Sequence, residues 1–290
     1  MIIVKIAGGL GNQMFQYASA KSMAKRLNKE LYIDLGHYDK YDDRTFKLKE
    51  IFNIDDTVLS YKDIPLVYKI YKNRYINFII RKSKMNIGLK NKFIYQKHFD
   101  IDRRLIENDN KNNFYLDGYW QNEEYFVEYD DYIRNKFKLK CEIRKEVLDK
   151  INEINTDNSV SVHIRRGDYM NIKNIELYGI CPIEYYKNSI KYIADKISEP
   201  KFYFFSDDID WVKENLNIEY ECEFIDGRYD DFEELYMMSK CKHNIIANSS
   251  FSWWGAWLNT NPDKIIIAPK KWTNRLNTSE QILPKNWIKM

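Results

Sequence analysis

The sequence predicts an α/β protein made of two domains, each built on a parallel sheet. Three observations carry that prediction. Apolar, β-branched runs alternate with stretches of helical periodicity along the chain. The first run leads through a glycine-rich turn into a helix. Two later runs end in polar blocks, one rich in arginine and one in serine, where open α/β sheets place ligands.

In order, Ile2–Ile6 reads as the first strand, and a helix rich in Ala, Lys and Met runs from the following turn to about Leu27. Leu31–Leu35 and Phe114–Gly118 complete the strands of the first half. In the second half, Ser159–Ile164, Lys201–Ser206, Glu223–Ile225, Asn244–Ala247 and Lys264–Ala268 read as strands. Helical patterns fall between them at Pro182–Ile197, Asp210–Asn215 and Asp231–Cys241. The charged, strand-poor stretch Asn135–Asn158 marks a seam, which divides the chain into domains 1–150 and 151–290 facing across a cleft. No internal repeat or low-complexity segment is visible.

A chain of 290 residues can bury two cores of ordinary size. Hydrophobic content of 44% and aromatic content of 16% exclude a disordered protein. No run of eighteen apolar residues suggests a membrane span. The N-terminus lacks the pattern of a signal peptide, and Cys141, Cys181, Cys222 and Cys241 lack metal-ligand spacing. They read as buried thiols in a reducing cytoplasm. Lys and Arg (46) nearly balance Asp and Glu (43), so bulk charge gives no argument for nucleic acid. Residues 61–96 are an exception: Lys62, Lys69, Lys72, Arg74, Arg81, Lys82 and Lys84 interleave there with Tyr68, Tyr71, Tyr75 and Phe78. An ordinary solvated basic face is the favoured reading, and peripheral association with an anionic membrane is the alternative.

The chemistry concentrates in three blocks. The run His163-Ile164-Arg165-Arg166-Gly167-Asp168 follows the apolar Val160-Ser161-Val162. Guanidinium N–H donors match phosphate oxygens two at a time, so the run suits an anionic ligand at a strand's carboxyl end. Alone, it could equally be a solvated turn with a surface ion pair. The turn Gly8-Gly9-Leu10-Gly11-Asn12-Gln13 presents backbone N–H groups at a helix start. It lacks the third glycine of a dinucleotide fingerprint, and a purely structural turn would look the same. The block Asn248-Ser249-Ser250-Phe251-Ser252 opens a helix with capping residues and offers a second phosphate cradle. The tryptophans that follow, Trp253, Trp254 and Trp257, read as core. Ser206-Asp207-Asp208 imitates a metal-binding acid pair, but one adjacent pair is weak evidence for a cation.

Together the blocks Gly8–Ala18, His163–Tyr169 and Cys241–Leu258 resemble glycosyltransferase family 11, the bacterial α-1,2-fucosyltransferases, from Met1 to about Trp287. That resemblance implies a GT-B-like pair of Rossmann-like domains and a GDP-β-L-fucose donor held by the second domain. It implies Arg165 at the diphosphate, with Arg166 beside it and N–H or hydroxyl groups of Ser249, Ser250 and Phe251, next to Asn248, on the remaining oxygens. His163 and a carboxylate would read the guanine. Related enzymes carry that carboxylate on the helix before the serine block, commonly within Glu-Asp; here the pair is Glu233-Glu234, and Glu234 is the candidate. Asp168 is expected to brace the arginines. Asn12 and Gln13 are candidate acceptor or fucose contacts, and Glu176 is a weak candidate for the base.

With arginine and helix starts to carry the charge, no metal and no cofactor beyond the donor substrate are expected. The implied reaction inverts the anomeric centre and fucosylates the 2-hydroxyl of a galactose-terminated glycan, with no nucleic-acid partner. Another linkage or acceptor, or glycan binding without turnover, are the rival readings. Nothing in the sequence sets an oligomeric state.

Overall fold

In the computed structural model the described residues are 1–40, 44–66, 68–69, 93–96, 99–109, 112–274 and 279–290. Most of the basic aromatic segment 61–96 therefore lies outside them. The chain separates into two compact units, Met1–Cys141 and Glu142–Met290. The helix Lys145–Thr156, which a division at residue 150 would split, packs on β6 and on the helix Asp231–Lys240 of the second unit.

The first unit holds a parallel sheet in the order β3-β2-β1-β5-β4. Its strands are β1 (Ile2–Lys5), β2 (Leu31–Asp34), β3 (Thr57–Leu59), β4 (Phe93–Tyr95) and β5 (Phe114–Asp117). The helix Leu10–Arg26 follows β1 and is buried along most of its length, so it shows little amphipathic pattern.

The second unit holds β6 (Asn158–Ile164), β7 (Pro200–Ser206), β8 (Cys222–Ile225), β9 (His243–Ile245), β10 (Ile266–Ala268) and β11 (Ile288–Lys289). All pair in parallel, in the order β11-β10-β9-β6-β7-β8. Strand β7 explains why such sheets read as unbroken apolar runs. Phe202 and Phe204 enter one core layer with Val160, Val162, Tyr185 and Ile190. Tyr203 and Phe205 enter the opposite layer with Val147, Ile151, Met237 and Met238. Both faces are covered, so no polar alternation survives.

The expected strands and helices are present with ends shifted by one to three residues. β3, β4 and β11 are additional to the expected strands: each has two or three residues, too short to show a period. Cys181 and Cys241 are buried, but Cys141 and Cys222 are only partly so, which corrects the expectation of four buried thiols. Among the described residues, no helix is long and apolar enough to cross a membrane.

Candidate active site

The strand order of the second sheet reverses between β6 and β9. Segments leaving the carboxyl ends of two such strands diverge and open a crevice, the usual ligand position in open α/β sheets. The segments here run from His163, at the end of β6, to Tyr169, and from Ala247 to Phe251 after β9. They do meet: the His163 and Phe251 rings lie 5.6 Å apart, and the Tyr169 hydroxyl donates to the Asn248 carbonyl at 3.2 Å.

Register places the acids beside the arginines. Ile164 pairs with Ser206 on β7, so the next residues, Arg165 and Asp207, leave the sheet side by side. Arg165 Nη1 lies 2.9 Å from Asp207 Oδ2, and its guanidinium stands 5.6 Å from the Tyr169 ring centre. The Arg166 N–H donates to Asp207 Oδ1 at 2.8 Å. Gly167 permits this approach, since a Cβ there would come within 2.5 Å of Asp207 Oδ2.

The Arg166 side chain turns elsewhere: its Nε donates to Asp208 at 3.1 Å and its guanidinium stacks 3.5 Å from the centre of Trp211. The two adjacent guanidiniums thus take different partners: Asp207 for Arg165, and Asp208 with Trp211 for Arg166. Asp207 and Asp208 hold the arginines, whereas the Asp168 side chain lies outside the described residues. The acid pair that imitates a metal motif is engaged in ion pairs, and the described residues contain no cluster of three or more potential metal ligands.

Ser249 caps the helix Ser250–Leu258, its hydroxyl accepting from Phe251 N–H at 3.3 Å. No acid occupies the first turn, so the helix start keeps its positive character. Ser250 is half-buried beside it. Asn248 does different work from that expected. Its buried amide donates to the carbonyls of Tyr178, Gly179 and Trp272 at 3.1, 3.3 and 3.2 Å, which joins three loops and leaves no amide hydrogen for a ligand.

The adjacent glutamates separate cleanly. Glu233 is buried, closes the capping box of the helix Asp231–Lys240 with Asp230, and pairs through both oxygens with Arg144. Glu234 makes no side-chain hydrogen bond among the described residues. Burial, with Asp231 and Asp207 nearby, pushes its carboxyl up to about 8. His163 is buried with Nδ1 unpaired among the described residues, and burial with the Arg165 charge pushes it down to about 3, so the ring is neutral.

Two candidates stand outside this group. Glu176 is exposed on the helix Ile172–Tyr178, and among the described residues no ion pair ties it to the arginines. Asn12 belongs to the first unit, where its Oδ1 accepts from Gln121 Nε2 at 2.7 Å. Gln13 is structural: it donates to Gly8 and Thr45 carbonyls and accepts from Lys47 N–H. Asp207, Asp208, Tyr169 and Trp211 were not singled out as partners of the arginines. The one available signal was the acid pair directly after a strand neighbouring the arginine strand.

The family model for glycosyl transferase family 11 matches residues 1–290. The chain belongs to glycosyltransferase family 11. This family 11 member is 36% identical to the α-1,2-colitosyltransferase of Escherichia coli, over 100% of this chain and 99% of that protein. It is 31% identical to the O-antigen biosynthesis glycosyltransferase WbnK of Escherichia coli, over 98% and 99% of the two chains. Among solved structures it resembles the fucosyltransferase NodZ from Bradyrhizobium, with TM-score 0.55 and 15% identity over 88% of this chain and 91% of the other. That likeness shows a common GT-B fold, as expected from the sequence. The family 11 member is therefore a glycosyltransferase of a fucosyltransferase family.

Proposed function

We propose that this glycosyltransferase moves L-fucose from GDP-β-L-fucose to the 2-hydroxyl of a terminal β-galactoside in a cell-surface glycan, with inversion. One observation carries the reading. Arg165 leaves β6 at the switch point of the second sheet, fixed by Asp207, and two residues before it the His163 ring lies 5.6 Å from that of Phe251 in the first turn of the helix Ser250–Leu258.

The acceptor oxygen attacks the anomeric carbon as the bond to the diphosphate breaks, and GDP leaves with the bonding electrons. Negative charge grows on the bridging oxygen, and Arg165 meets it with a charge already in place. N–H groups of the helix start, with Ser249 and Ser250, hold the other oxygens. Ionised Glu234 accepts the guanine N1–H and 2-amino hydrogens, and neutral His163 lends an acceptor nitrogen. With that positive charge built in, and Asp207 and Asp208 paired to arginines, the reaction needs no metal. Glu176 is the candidate base. A GDP-sugar donor and reduced cysteines suit a cytoplasmic enzyme.

The 36% identical colitosyltransferase favours a second reading of the donor sugar. Colitose is fucose without its 3-hydroxyl, so the two readings differ in one polar contact. GDP release from GDP-fucose and GDP-colitose, each with the same β-galactoside, separates them. The fucose reading expects at least about tenfold higher kcat/KM for GDP-fucose, as a hydrogen-bonded hydroxyl allows. Equal or reversed values would transfer the assignment to colitose.

A further inference from the structure

Arg165 has a second neighbour besides Asp207. Its guanidinium stands 5.6 Å from the centre of the Tyr169 ring. An aromatic face attracts a guanidinium without consuming its N–H donors, which stay available for oxygen ligands. The Tyr169 ring is itself fixed at two points. Its hydroxyl donates to the Asn248 carbonyl at 3.2 Å. Its face stacks on Tyr178, with ring centres 5.2 Å apart and planes 17° apart.

Asn248 also holds the far end of the same segment, through the bonds from its Nδ2 to the Tyr178 and Gly179 carbonyls. Gly179 has φ +73°, and a Cβ there would come within 2.8 Å of Asn274 Oδ1. Asn274 donates its N–H to the Leu177 carbonyl at 3.0 Å and its Nδ2 to the Ile175 carbonyl at 2.7 Å. Residues 169–179 are thereby closed into a loop with both ends on one buried asparagine. Bonds made in such a shielded place are stronger than the same bonds in water. Asn248 directly precedes Ser249, the cap of the helix Ser250–Leu258. An unbroken series of contacts thus runs from the helix start through Asn248 and Tyr169 to the Arg165 guanidinium.

We infer that Tyr169 is a positioning residue for the transfer step: held by Asn248, it fixes the Arg165 guanidinium relative to the start of the helix Ser250–Leu258. The inference rests on the reading that Arg165 meets the leaving diphosphate. A guanidinium and a helix start act together on one diphosphate only while their spacing is kept, and a displacement of about 1 Å can cost about a hundredfold in rate. Asp207 sets the direction of Arg165 from β7, and Tyr169 ties it to the segment after β9. Tyr169 acts through Arg165, so its contribution should depend on the guanidinium being present.

Steady-state GDP release tests it, with methyl β-D-galactoside as acceptor and whichever of GDP-fucose and GDP-colitose the wild type uses faster. Tyr169→Phe keeps the ring and removes only the hydroxyl that Asn248 holds. Its kcat should fall about fivefold, and Tyr169→Leu, which also removes the ring, should fall about thirtyfold. GDP affinity, titrated in parallel, should stay within about twofold of wild type in both, which also reports that each is folded. In an Arg165→Lys background Tyr169→Phe should change kcat by less than about twofold, because the group it positions is gone. Unchanged kcat in Tyr169→Phe, the same loss in both backgrounds, or a loss of GDP affinity as large as that of kcat would overturn the inference while leaving the role of Arg165 intact. Wild-type turnover in Arg165→Lys would strike the reading of Arg165 itself, and the inference would fall with it.

Discussion

Asp207 grips the arginine run at two points: Oδ2 lies 2.9 Å from Arg165 Nη1, and Oδ1 accepts the Arg166 N–H at 2.8 Å. One carboxylate thus sets both the backbone path and the direction of the guanidinium proposed to meet the leaving diphosphate. Arg165→Lys keeps the charge but not the planar donors. Its kcat should fall by about two orders of magnitude or more, as on loss of one preorganised stabiliser. Asp207→Asn keeps the shape and loses the charge, and kcat should fall about tenfold through looser positioning. Steady-state kinetics with each variant checks both values; wild-type turnover in Arg165→Lys would remove that residue from the mechanism.

The Glu234 carboxyl, pushed up to about 8 by burial with Asp231 and Asp207 nearby, links GDP binding to pH. Guanine N–H donors favour the ionised form, so binding releases a proton wherever the free site is protonated. Affinity should therefore rise from pH 6.5 towards pH 8 and level off above it, by up to about tenfold per unit. Glu234→Gln should bind GDP more weakly and lose this slope. Calorimetric titration of both proteins at each pH cancels the titration of GDP itself. Identical profiles would mean that guanine is read by other groups. GDP should also bind far better than ADP or UDP.

Glu233 should behave as the opposite of its neighbour. It closes a capping box and forms a two-point ion pair with Arg144 while almost wholly buried. Glu233→Ala should cost about 2 kcal/mol of stability, measured by denaturant unfolding, from the lost cap and pair. Glu234→Gln should leave stability unchanged or slightly raised, because it replaces an unpaired carboxyl. A reversed order would show that the two roles are exchanged.

Chelation addresses the metal question. The positive charge of Arg165 and the helix start should sustain at least half of the activity after exhaustive EDTA treatment. Loss of activity with chelator and its return with Mg²⁺ or Mn²⁺ would reopen Ser206–Asp208 as a cation site.

Most of the second unit was legible because its strands are long and buried on both faces. Pro200–Ser206 and Asn158–Ile164 carry seven residues each, enough for an apolar run to show. The short strands Thr57–Leu59 and Phe93–Tyr95 carry three, and no period can be read from three. Candidate residues stand out in the sequence where chemistry needs a rare type in a run, as at Arg165 and Ser249. Their partners do not, because Asp207 reaches Arg165 only through the register of β6 on β7. Asn248 and Arg166 mark the same limit from the other side. Their types suit ligand binding, but the loop carbonyls and Asp208 that occupy them come from distant parts of the chain.

The central claim is inverting transfer to a galactose 2-hydroxyl. The most direct measurement is the NMR structure of the product made from GDP-β-L-fucose and a β-galactoside. The account predicts an α-L-fucosyl residue with its anomeric proton correlated to galactose C2, and GDP released in equal amount. A β-linkage, or attachment at another galactose carbon, would contradict it.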